Sequence, residues 1–257
     1  MNKRTDLQGK IALVTGAGRG IGAAISRELG ASGCHVVLAG RTEGPLQTVA
    51  KEIRDSGGQA SLLVGDISTD EWLDDLATGP TPVNIFIHAA ATFAPYGPLE
   101  EQTPENIQSV IGTSLTAALR ISAALLPQMK QDDYGRLIFI GSRAASLGAA
   151  NQVAYATAKG GLEAMVKSLT VETAHTGITA HLLELGLIDT ERTRESMSDS
   201  ARNAMAEATP AGRIGTPEDV VGAIRYLLSP EAEFLRGVIL NVDGGLGLGL
   251  ATSKGRR

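Results

Sequence analysis

Short apolar runs alternate along the chain with longer stretches whose apolar residues recur every three or four positions. "KIALVTG" (residues 10–16) is continuous enough to be a strand covered on both faces, and "RGIGAAISRELGASG" (19–33) has helical spacing and ends on glycine. "HVVLAG" (35–40) predicts a second strand and "TEGPLQTVAKEIRDSGG" (42–58) a second helix. Five further runs, "ASLLVGD", "VNIFIHAA", "RLIFIGS", "ITAHLLELG" and "GVILNVDGG", bring the strands to seven. Helical patterns lie between them near residues 69–77, 104–130, 153–175 and 217–228. Strands apolar on both faces and separated by helices predict an α/β fold, a doubly wound parallel sheet with helices on either side.

No linker, repeat or low-complexity block interrupts this rhythm, so residues 1–257 are expected to form one domain with its core over about 7–246. Two segments stand outside it. Residues 189–215 are polar, with Met197 and Met205 as apolar marks, and suit a lid over a site. Residues 247–257 are rich in glycine and then basic, a composition expected to end loosely ordered.

Composition narrows the partners. Apolar residues make up 43% of the chain and charged ones 20%, which suits a packed globular protein, and the net charge is −5. An acidic balance argues against nucleic acid or a membrane surface as partner. One cysteine, Cys34, excludes an internal disulfide and gives no zinc pattern, so no metal site is expected. The start "MNKRTDLQGK" lacks the apolar stretch of a signal peptide, and no run reads as a membrane span, which predicts a soluble cytoplasmic protein.

The first strand runs into "TGAGRGIG" (15–22). Gly16, Gly18, Gly20 and Gly22 let the backbone turn sharply, with Ile21 between the last two, and expose amides at the start of a helix. Such amides, with the helix dipole behind them, suit a pyrophosphate. One or two glycines would serve a plain strand–helix turn; four in seven residues at the first junction favour phosphate and a Rossmann-like, dinucleotide-binding sheet. An NAD site would place Asp or Glu at the end of the second strand. Here Gly40 is followed by Arg41, and Arg19 sits inside the turn. Each arginine alone reads as a surface charge; together they suit the 2′-phosphate of NADP(H) in preference to NAD(H).

"RLIFIGS" ends at Ser142, and "QVAYATAKGGLEAM" follows, with Tyr155 and Lys159 four residues apart on one helix face. Taken alone, a Tyr–Lys pair at this spacing is surface decoration. Near a dinucleotide turn and a strand-end serine it supplies what carbonyl reduction needs: a proton donor, a neighbouring cation and a hydroxyl to hold the oxygen.

"TGAGRGIG", Ser142, "YATAK" and the closing "VDGG" resemble the short-chain dehydrogenase/reductase family over about residues 7–246, most closely its 3-oxoacyl-carrier-protein reductase and ketoreductase branch. The resemblance implies Tyr155 as acid/base, Ser142 as the group orienting the carbonyl, and Lys159 as a ribose ligand that lowers the tyrosine pKa. It implies that Asp66 and Ile67 flank the adenine and that Ile188 and Thr190 meet the carboxamide and phosphates. Asp66 also reads as a cap for the helix that follows.

Three positions depart from the family pattern. "HAAA" (88–91) stands for Asn-Asn-Ala-Gly, leaving His88 to face the adenosine through its backbone. Ser114 stands for the asparagine that bends the long helix and holds a water in the proton relay, and "LG" (185–186) stands for Pro-Gly. With the Ser–Tyr–Lys set intact, the expectation is an NADPH-dependent ketoreductase acting on a small-molecule carbonyl that is free or carrier-protein-bound. Phe93, Tyr96, Leu147 and the two methionines suggest an apolar substrate. Arg143, beside the serine, either meets an anionic group or points away. The alternatives are an oxidative alcohol or sugar dehydrogenase and a non-catalytic NADP-binding sensor or scaffold. Family members assemble as homodimers or homotetramers through long helices, and Gly160 and Gly161 suit close helix contact there.

Overall fold

In the computed structural model, which describes residues 6–79, 82–93 and 95–248, seven parallel strands form one sheet. They are β1 (Ile11–Thr15), β2 (His35–Gly40), β3 (Gln59–Val64), β4 (Val83–His88), β5 (Gly135–Ile140), β6 (Ile178–Leu185) and β7 (Ile239–Val242), in the order β3-β2-β1-β4-β5-β6-β7. Each strand expected from the hydropathy pattern corresponds to one of them. The reason lies in the two cores. In β1, Ala12 and Val14 face one core and Leu13 the other; in β5, Ile138 and Ile140 divide from Leu137 and Phe139 in the same way. With both faces covered, alternation disappears from the sequence and the strands read as unbroken apolar runs.

One face carries α1 (Gly20–Ala31), α2 (Glu43–Asp55) and α10 (Pro217–Leu227), which supply Ile25, Leu46 and Ile224 to the first core. The other carries α3 (Asp70–Thr78), α5 (Ala117–Gln131) and α7 (Val153–Glu172), which supply Trp72, Ile121 and Leu162 to the second. Burying one such side chain contributes about 1.5–3 kcal/mol, so the two layers hold the strand ends in a fixed frame.

The pattern expected over 104–130 is not one regular helix. α4 (Pro104–Ile111) is joined to α5 by a π-helical turn at Gly112–Thr116. The combined segment Pro104–Gln131 is long and apolar enough to cross a membrane by length and composition alone. Here its apolar side packs on the sheet, with Ala117, Ala118 and Ile121 fully buried. Residues 189–215 contain two short helices, α8 (Glu191–Ser196) and α9 (Asp199–Ala208). From residue 249 onward the segment expected to be loosely ordered lies outside the described residues.

Gly161 has an account within the chain. A Cβ there would lie 2.6 Å from Leu115 Cδ2 in the π-turn, so glycine is what lets α7 and the turn approach. Gly160 has only Ala145 nearby, at 4.0 Å from such a Cβ, and no comparable need.

Candidate active site

The strand order reverses between β1 and β4, and a ligand crevice is expected outside the carboxyl ends of strands at such a point. A cleft of about 1000 Å³ opens there. The glycine turn leaves β1 and enters α1 at Gly20. Arg19 is the N-cap in an extended conformation, no side chain caps the helix, and no acidic residue occupies its first turn. The first amides of α1 are therefore not answered by any protein side chain, which leaves them available to an anion. At Gly22 a Cβ would collide with the carbonyl of Gly16, so the turn closes only over glycine.

Gly16, Gly18, Arg19, Gly20, Ile21 and Gly22 all line this end of the cleft, and Arg41, Asp66 and Ile67 line it from β2 and β3. Ile188 and Thr190 line the wall beyond β6. The Asp66 carboxylate accepts from the Ser68 amide at 2.9 Å and its hydroxyl at 2.7 Å. The Ser68 hydroxyl holds the carboxyl below its usual range, and Arg41 adds a smaller pull in the same direction. The cap of α3 is Thr69, which accepts from Trp72 N, so Asp66 organises the turn before the helix rather than the helix itself. An uncapped helix start, a glycine turn and two arginines on one wall fit a dinucleotide carrying an extra phosphate.

At the other end, Ser142 is the N-cap of α6 (Arg143–Leu147), and its hydroxyl accepts from Ala144 N at 3.2 Å. Tyr155 and Lys159 reach the same cleft from α7. Lys159 is buried, its Nζ donates to the Ile140 carbonyl at 2.7 Å, and it lies 5.7 Å from the Tyr155 ring centroid. Burial pushes its pKa down to about 8. The tyrosine departs from expectation: burial pushes its pKa up to about 12, outweighing the hydrogen bond with Ser142 that acts the other way. A phenol is protonated at neutral pH with or without this shift, and burial only tightens its hold on the proton.

Two of the expected residues do not line the cleft. His88 and Ser114 are fully buried behind it. His88 Nδ1 lies 3.0 Å from Thr15 Oγ1, which also accepts from Ala90 N at 3.3 Å. Burial, followed by the nearby Lys159 charge, drives the His88 pKa down to about 3, while the backbone of Ser114 and Thr113 acts weakly in the opposite direction. The neutral imidazole thus ties the end of β1 to the end of β4, and its Nε2 has no hydrogen-bond partner among the described residues. Thr113, not Ser114, is the residue of the π-turn on the cleft wall, where it accepts a hydrogen bond from Thr92 at 3.0 Å.

Arg143 does not offer its charge outward. Its Nη1 contacts Glu184 Oε2 at 2.7 Å, its Nε lies 3.0 Å from Asp243 Oδ2, and its Nη2 donates to the Leu246 carbonyl at 3.2 Å. All three ionic side chains are largely buried. This triad ties the residue after Ser142 to β6 and to the segment following β7. Glu184 and Asp243 were missed from the sequence, although an acid inside the apolar run "ITAHLLELG" is a signal, because a buried carboxylate requires a buried partner. Arg192 of α8 was missed as well. Its guanidinium carbon lies 4.2 Å from the Phe93 ring centroid, and Phe93 stacks on Tyr155 with centroids 5.0 Å apart.

A doubly wound parallel sheet with this glycine turn at its switch point, and a serine, tyrosine and lysine at the far end of the same cleft, defines an oxidoreductase of the dinucleotide-dependent class. The chain belongs to the short-chain dehydrogenase/reductase family: the family model described as enoyl-(acyl carrier protein) reductase matches residues 16–247. It is 35% identical over 242 residues to 3-oxoacyl-(acyl-carrier-protein) reductase FabG of Escherichia coli, covering 94% of this chain and 98% of that one. Among solved structures it is similar to a 3-oxoacyl (acyl-carrier-protein) reductase from Agrobacterium tumefaciens with NADP bound. The TM-score is 0.86 and the identity 31%, over 93% of this chain and 94% of that one. It is also similar to a gluconate 5-dehydrogenase from Burkholderia cenocepacia in complex with NADP and tartrate. There the TM-score is 0.88 and the identity 29%, over 96% and 98% of the two chains.

Proposed function

We propose that the protein is an NADPH-dependent ketoreductase. The observation that carries this reading is the Tyr155 phenol sharing one cleft with Ser142 and with the buried Lys159, whose Nζ lies 5.7 Å from the phenol ring centroid. NADPH, when bound, supplies the hydride that converts the ketone carbon to an alcohol carbon. Ser142 holds the carbonyl oxygen, and the Tyr155 hydroxyl delivers the proton that the oxygen gains. Lys159, charged below about pH 8, stabilises the phenolate left behind and lies where it can also hold the nicotinamide ribose.

The amides of Gly16–Gly22 and the start of α1 hold the pyrophosphate. Arg19 and Arg41 grip the 2′-phosphate, which makes NADPH the preferred cofactor. Asp66 and Ile67 flank the adenine, and Ile188 and Thr190 meet the carboxamide and phosphates. His88 and Ser114 act from behind the wall, His88 by fixing the ends of β1 and β4 and Ser114 by shaping the turn beside Lys159. Residues 189–215 cover the substrate end as a lid, with Met197 and Met205 on the cleft. The resemblance to FabG supports a 3-oxoacyl or related carbonyl substrate, a carrier-protein thioester included; a cytoplasmic homodimer or homotetramer remains what the family pattern of the sequence implies.

A second reading, oxidation of a sugar alcohol, is favoured by the likeness to the gluconate 5-dehydrogenase. NADPH consumption across 3-oxoacyl thioesters, cyclic ketones and keto-sugars, with NADH in parallel, tests both. Turnover of ketones at pH 7, faster with NADPH, supports the proposal. Turnover confined to the alcohol-to-ketone direction with NADP would replace it by the second reading.

A further inference from the structure

The lid segment carries four arginines, and three of them are neutralised within it or beside it. Arg194 pairs with Asp189 at 2.9 Å, Arg202 with Asp199, and Arg213 with Asp219 at 2.6 Å. Arg192 has no carboxylate partner among the described residues, and it is the one that lines the cleft. The other two cations at the substrate end are already occupied. Arg143 is held by Glu184 and Asp243, and Lys159 by the Ile140 carbonyl. Among the described residues, Arg192 is therefore the cation at the substrate end whose N–H groups have neither a carboxylate nor a carbonyl partner.

The placement of that charge is specific. The guanidinium lies over the Phe93 ring, and Phe93 in turn stacks on Tyr155 with an interplanar angle of 27°. Stacking on an aromatic face fixes the guanidinium while leaving its N–H edge free, and that edge matches a carboxylate or phosphate in bidentate fashion. An anion on this edge would be separated from the Tyr155 ring by the thickness of the Phe93 ring, in a cleft that Leu147, Met197 and Met205 also line.

We propose that Arg192 is a specificity-determining residue that reads an anionic group, a carboxylate or a phosphate, on the ketone substrate, with Phe93 as its platform. The inference rests on the ketoreductase reading and narrows it to ketones that carry a negative charge a short apolar span from the carbonyl. A carboxylate would belong to a free keto acid. A phosphate would belong to a small phosphorylated ketone, since a pantetheine arm sets its phosphate a long polar chain away from the carbonyl.

The test measures binding to the protein saturated with NADP⁺, which cannot reduce a ketone, using two matched pairs. One pair is 5-oxooctyl phosphate and 5-oxooctan-1-ol; the other is 5-oxooctanoate and its methyl ester. Calorimetric Kd values are compared for the wild type, Arg192→Met and Arg192→Lys. The expected result is an anionic member binding about tenfold or more tightly than its neutral partner, the size of a charge-assisted hydrogen bond. That advantage should collapse in Arg192→Met and survive in part in Arg192→Lys, and the pair that shows it identifies the source of the charge. Equal affinities within both pairs, or an advantage undiminished in Arg192→Met, overturn the proposal. If neutral ketones are still reduced by the wild type in that case, the ketoreductase reading stands alone. Failure of all four compounds to bind, with no ketone reduced, overturns both.

Discussion

The two ends of the cleft are held in shape by different means. The glycine end is made of backbone: an uncapped helix start, a turn that closes only over Gly22, and arginines at its rim. The end that holds Ser142, Tyr155 and Lys159 is made of buried charge. Lys159 sits behind Tyr155 with a carbonyl as its partner, and Arg143 sits beside Ser142 with two carboxylates. The contrast extends to the two cations themselves. One is left under-compensated, so that its proton is loosely held near neutral pH, whereas the other is pinned so that it positions its neighbours.

The sharpest way to break this contrast is to remove Arg143. Arg143→Met leaves Glu184 and Asp243 as uncompensated buried carboxylates, and breaking a buried ion pair costs about 3–5 kcal/mol. A fall of roughly 10 °C in Tm is expected for a chain of this size. A melting curve within 2 °C of wild type would show that water reaches the triad and that its charges are not holding the wall.

Lys159 should behave in the opposite sense. Its folded-state pKa of about 8 lies below its ordinary 10.5, a cost on the order of 3 kcal/mol while the group is charged. Between these values the unfolded chain binds the extra proton, so stability rises with pH from about 8 to 10.5 and is flat below 8. In denaturant titrations the wild type should therefore gain stability relative to Lys159→Met between pH 7 and pH 10. A constant difference between the two proteins would mean that the ammonium is solvated in the native state.

At the glycine end the effect is on affinity rather than stability. Arg41→Ala should weaken NADPH binding by about 10–100-fold, as loss of a charge-assisted phosphate contact does, and leave NADH nearly unchanged. Equal weakening of both cofactors would place Arg41 elsewhere than on the 2′-phosphate. The smallest expected change is in the pH profile. The reductive rate should decline with a one-proton slope as pH rises through about 8, where Lys159 loses the charge that stabilises the phenolate. A profile flat to pH 9.5 would separate Lys159 from the proton transfer.

Legibility followed the same division. The glycine turn was legible because such a turn needs glycines at adjacent positions, and Arg19 and Arg41 line the cleft beside it. The seven strands were visible because both sheet faces are covered. The π-turn at Gly112–Thr116 was not, since one extra residue in a helical turn leaves the apolar period of "VIGTSL" almost unchanged. The Arg143–Glu184–Asp243 triad unites residues from three distant segments, and only the charge inside β6 hinted at it. Arg192 was hidden among the four arginines of the lid, because which of them finds an aspartate is decided by the fold. The direction of the Tyr155 pKa was also beyond the sequence, because burial raises it while the hydrogen bond with Ser142 and the Arg192 charge lower it, and their balance depends on depth.

The most direct measurement is stopped-flow NADPH oxidation by Tyr155→Phe with a ketone that the wild type reduces, alongside NADPH binding followed by fluorescence. Loss of the general acid should lower the reductive rate by about 10²–10⁴-fold, with the cofactor Kd little changed. A variant that binds NADPH and still reduces the ketone at the wild-type rate would contradict the assignment of the proton to Tyr155, and with it the account of the cleft.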